Sequence, residues 1–137
     1  MRRTVTMTAH WSLFLLAAIL LAGNTPGIAG WLYVAACMAM LVPAVTLGLM
    51  NRPTPQLKGA LRLAHPWLHR ALYGLLAWSG AATLMLLIGG PDWDARLSWN
   101  LTIALGAAHG LFHLWRHAVL SDGALRLMTP RVVHPYL

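Results

Sequence analysis

The chain has 137 residues, 58% hydrophobic and only 9% charged, where a water-soluble domain carries about 25% charged residues; an ordinary soluble fold is excluded. Ten lysines and arginines against three acids, Asp92, Asp94 and Asp122, leave a net charge of +7. The basic residues flank apolar runs and form no stripe of their own, which argues against nucleic acid as a partner.

Four apolar runs, at about residues 5–23, 29–50, 66–89 and 97–120, are each near or above the ~20 residues that cross a bilayer as a helix. They predict an all-α integral membrane protein, a single four-transmembrane-helix bundle over residues 1–137 with no repeat and no soluble domain. The first run, in "MRRTVTMTAHWSLFLLAAILLAG", also has the pattern of a secretory signal peptide; it is read here as a retained span. The second contains Pro43, expected to kink it, which a bundle absorbs, and the lone Cys37, expected to be inert packing. The linker "NRPTPQLKGALRLAHP" holds three prolines, which suit an irregular segment better than a helix. Short turns at about 24–28 and 90–96 complete the connections.

With four spans, both termini and the middle loop share one side. That side collects Arg2, Arg3, Arg52, Lys58, Arg62, Arg70, Arg116, Arg126 and Arg131, whereas the other has only Arg96. The positive-inside rule then places both termini in the cytoplasm, with attraction to anionic lipid as a further effect. Trp11, Trp67, Trp93, Trp99 and Trp115 fall near span ends, as an interfacial aromatic belt would.

Ionisable residues inside a span are functional candidates, because hydrocarbon penalises them when unpartnered. His10 opens the first span and His65 and His69 open the third. His109, His113 and His117 follow at helical spacing along the fourth, within about 80° of arc. Imidazoles lining a helical bundle suit a b-type haem, which needs only axial nitrogens and an apolar slot. His10 and His109 lie at similar depth and are the expected pair. His65, His69, His117 and His134 are read as interfacial and wetted. Zinc or copper is the weaker alternative, with no carboxylate or thiol expected near the histidines. No nucleophile–base pair, phosphate loop or carboxylate pair is present.

The stretch "AAHGLFHLWRHAVLSDGALRLM" resembles the end of the last span of the bacterial cytochrome b561 family. The match runs through His109, His117, Asp122, Gly123, Leu125, Arg126, Met128 and Pro130. His10-Trp11, "RPTP" at 52–55 and "HRALY" with His69 and Tyr73 are similar to other family positions in the same order. The resemblance implies a multi-pass protein of the bacterial cytoplasmic membrane, with an inner haem b held by His10 and His109. His69, His113 and His117 would sit near the porphyrin, and Arg70 or Arg116 would pair with its propionates. The family's outer-haem ligands are missing: Trp31 stands in one place, and the other offers only Trp99 and Asn100. No histidine lies between His10 and His65, so a second bis-histidine haem is not expected.

The expected function is single-electron transfer through one haem b, with a quinone or a partner subunit. Two other readings compete with it. One is a redox-inactive accessory subunit stabilising a larger electron-transfer or photosynthetic membrane complex, where Gly74, Gly80, Ala81 and Gly106 allow close helix contact or one histidine holds a bacteriochlorophyll magnesium. The other is a transporter, which would be expected to show internal repeats and broken helices.

Overall fold

A computed structural model describes residues 2–23, 26–49 and 53–136. The described residues form four long helices, α1 (Arg2–Ala22), α2 (Gly27–Leu47), α3 (Gly59–Leu87) and α4 (Ala95–Leu120), followed by 3₁₀ turns at Ala124–Leu127 and Arg131–Tyr136. Each helix packs on its sequence neighbour and α1 also packs on α4, which closes the ring. α1, α2 and α3 are long and apolar enough to cross a membrane. α4 is of similar length, but Arg96, Asn100, Arg116 and three histidines make it more polar.

The bundle is apolar outside and partly polar inside, the distribution expected where lipid is the solvent. Leu15, Ile28, Val45, Leu63, Leu111 and Val119 face outward, whereas Thr6, His65, Ser79, Thr83, Ser98 and Arg116 are buried. In the half nearer the α1–α2 and α3–α4 turns, hydroxyls join three helices. The Tyr33 hydroxyl lies 2.8 Å from Ser79 Oγ and donates to Thr102 Oγ1 at 3.3 Å. Ser98 Oγ is 3.0 Å from Ser79 Oγ, and Trp99 Nε1 donates to Thr83 Oγ1 at 2.8 Å. Gly80 brings α3 onto α2 so closely that a Cβ there would lie 3.1 Å from Cys37 Cβ.

Two local expectations need correction. α3 begins at Gly59, two turns earlier than the prolines of the linker suggested. Pro66 removes one backbone donor from within it, while Ala60, Leu61, Arg62, Leu63 and Ala64 favour the helix. Trp99 is no belt residue: it is 5% exposed and spends its indole N–H on Thr83, whereas Trp11, Trp67, Trp93 and Trp115 are exposed. Gly80 and Gly106 serve contacts within the chain, against Cys37 and Phe14. α2 continues past Pro43 to Leu47.

Both ends of the described chain meet at one end of the bundle. Arg3 Nη2 donates to the carbonyls of Arg126 and Thr129, at 2.9 and 2.8 Å. Trp11 Nε1 donates to the carbonyl of Met128 at 2.8 Å.

Candidate functional site

All seven histidines belong to the same end of the bundle as these contacts, His134 through its 3.1 Å contact with the Thr129 carbonyl, and five are linked ring to ring. His109 and His113 are one turn apart on α4, which brings their centroids to 4.4 Å. His69 reaches across from α3 to within 5.0 Å of His109 and 5.8 Å of His113. His10 on α1 faces His109 at 6.3 Å, with the ring planes at 61°. His65 lies one turn before His69, centroid to centroid at 4.4 Å.

Most of the cluster borders a cavity of about 100 Å³, also lined by Leu13, Phe14, Met40, Leu76, Gly106 and Met128. Gly106 is needed for its shape, because a Cβ there would lie 3.2 Å from the Phe14 ring. The cavity is mostly apolar; its polar lining residues are the four imidazoles, Thr102 and Tyr73.

Behind the cluster lies a buried ion pair. Arg116 has no exposed surface. Its Nε and Nη2 lie 2.7 and 2.6 Å from Asp122 Oδ2, and its Nη1 donates to His65 Nε2 at 2.9 Å. Ser121, at φ 50, turns the chain left-handed at the end of α4. That conformation costs a non-glycine residue about 1–2 kcal/mol, and here it returns Asp122 toward Arg116. Asp122 also accepts from the Ala124 N–H at 2.9 Å and from Thr54 Oγ1 at 3.1 Å. Burial alone would raise the Asp122 pKa; the Arg116, Ala124 and Thr54 hydrogen bonds and the guanidinium charge outweigh it, leaving the carboxyl below its ordinary range.

No family model, curated protein or solved structure matches this chain.

The structure brings together His10, His69, His109 and His113. His117 is half-buried and makes no ring contact with them among the described interactions. Arg70 is exposed and stacks over Trp67 at 4.8 Å, and neither Arg70 nor Arg116 lines the cavity. His65 and His69 were expected to be wetted and are instead buried; His65 has no exposed surface because Arg116 and Asp122 close over it. The expectation that no carboxylate comes near the histidines also needs correction, since Asp122 reaches His65 through Arg116. The i, i+4 spacing of His65 and His69 was the available signal that both share one face.

The centroid spacing of His10 and His109 is compatible with a metal between the two rings. Two imidazoles binding one metal from opposite sides at about 2.0 Å place their ring centroids roughly 6 Å apart, close to the spacing observed. The slot is apolar, as haem requires. A macrocycle would also have to displace side chains such as Leu13, Phe14 and Leu76, because the cavity in its present shape suits an ion with several waters.

Proposed function

We propose that this chain is a single-haem, b-type membrane cytochrome of the cytochrome b561 kind, with His10 and His109 as the axial ligands. The carrying observation is the 6.3 Å separation of those two rings, from the first and last long helices, across an apolar cavity. A b haem supplies reversible one-electron chemistry, with a potential tuned by its surroundings. The chain's own residues would hold the two ligands on facing helices and line the slot with mostly apolar side chains. A haem held by both His10 and His109 would have no open position for oxygen chemistry. In this reading all four helices span a bacterial cytoplasmic membrane, with both termini in the cytoplasm. A haem at one end cannot by itself carry an electron across the bilayer, so the reading includes a quinone or a partner subunit as the exchange partner.

A reduced-minus-oxidised spectrum with pyridine haemochrome quantification tests this. The expected result is about one b haem per chain, lost in His10→Ala and His109→Ala and kept in His134→Ala. A protein without haem after gentle purification overturns it.

One observation favours a second reading. Arg70 lies on Trp67 and Arg116 is committed to Asp122, so neither cation faces the cavity where propionates would emerge. That suits a redox-inactive subunit of a larger membrane complex. There, His109→Ala would leave co-purification of the partners unchanged.

A further inference from the structure

We propose that His69, His109 and His113 form a binding site for a borderline divalent transition ion of the zinc, copper and cobalt class. This inference stands apart from the haem reading and shares only His109 with it. One ring nitrogen from each of the three lies within 4.8 Å of the others. Two of the ligands sit one turn apart on α4 and the third comes from α3, so the site clamps two helices. A tetrahedral ion with bonds of 2.0–2.1 Å wants its nitrogens about 3.4 Å apart, a contraction that imidazole rotation into the cavity supplies.

A second observation points the same way. Nδ1 of His69 lies 2.9 Å from the carbonyl oxygen of His65. A carbonyl only accepts, so Nδ1 carries the proton and Nε2 keeps its lone pair. Metal-binding histidines are commonly held this way, donating the other ring N–H to a carbonyl or carboxylate that fixes tautomer and orientation.

The donor set determines the class of ion. Calcium and magnesium need oxygen ligands, but Asp122 is taken by Arg116 and Cys37 packs against Gly80. Three imidazoles suit zinc, copper, nickel or cobalt. The Arg116–Asp122 pair also removes an obstacle, because a lone buried guanidinium beside the cluster would repel a cation and the paired one presents no net charge. The cavity leaves room for water in a fourth position, the open arrangement of zinc sites that do chemistry. Because His109 serves both, haem and ion exclude one another.

The test uses the full-length chain, purified in detergent without haem and titrated with cobalt(II), whose visible bands report coordination, then displaced with zinc. One equivalent is expected to bind. His69→Ala and His113→Ala should each weaken binding at least tenfold, and His10→Ala should leave it unchanged. X-ray absorption on zinc-loaded wild-type protein should count three imidazoles, which keeps the test valid if a variant fails to fold. No saturable binding, fewer than three imidazoles, or affinity indifferent to His69→Ala and His113→Ala in folded variants overturns the proposal. Haem binding has the complementary pattern, needing His10 and surviving His69→Ala, so the two readings fail separately.

Discussion

Arg116 holds His65 and Asp122 with one guanidinium, donating to an imidazole nitrogen at 2.9 Å on one side and to a carboxylate at 2.7 Å on the other. The imidazole must accept at Nε2, since arginine has nothing to accept with. Neutral His65 therefore carries its proton on Nδ1. The three residues come from α3, α4 and the turn after α4, so the contact ties the linker end of the bundle together.

Removing the arginine strands the carboxylate. Breaking a buried pair at one partner costs about 3–5 kcal/mol, because the remaining charge has no compensation. Arg116→Met should lower thermal stability in detergent by an amount in that range, and adding Asp122→Asn should recover part of the loss. A melting temperature equal to wild type would show that the pair is not buried in the membrane protein.

The same carboxyl predicts an acid limb. Its folded pKa lies below the unfolded value, which is about 4. The linked stability is then fully present above the unfolded value, declines as pH falls through it, and is gone below the folded value. The difference in melting temperature between wild type and Asp122→Asn should stay constant above about pH 5 and shrink below about pH 4. A difference that grows on acidification would contradict the sign.

At the other end, Thr83→Val tests the hydroxyl network. Valine keeps the shape but cannot accept from Trp99 Nε1, now bonded at 2.8 Å. A buried donor left unpaired costs about 1–3 kcal/mol. The expected signature is that loss of stability together with a blue-shifted tryptophan emission.

Gly80→Ala would push a methyl to 3.1 Å from Cys37 Cβ. Overpacking of this kind costs about 1–3 kcal/mol. The double variant with Cys37→Gly should regain most of it, a non-additivity expected of residues in contact. Equal losses in the single and double variants would mean the helices do not touch there.

Helix number and approximate position were legible in the chain, because lipid-facing helices must be apolar over a fixed length. Runs expected at 5–23 and 97–120 became Arg2–Ala22 and Ala95–Leu120. The facing of His10 and His109 was legible too, since depth along antiparallel helices follows from counting residues. Burial of His65 was not, because it depends on Arg116 and Asp122, more than fifty residues further along. Trp99 failed for the same reason: a tryptophan near a helix end turns toward lipid or core according to partners on other helices, here Thr83. The start of α3 was missed because proline-based reasoning outweighed the helix-forming run of Ala60–Ala64.

The bond from Trp11 to the Met128 carbonyl has a consequence for biogenesis. Met128 and Ala124 form part of the cavity wall, yet they leave the ribosome more than a hundred residues after the α1 histidine. Until they emerge, the chamber lacks one wall and stays accessible from the membrane surface. A group too large for the finished cavity of about 100 Å³ therefore enters most readily before Ala124 and Met128 dock, whereas a bare ion can still enter afterwards.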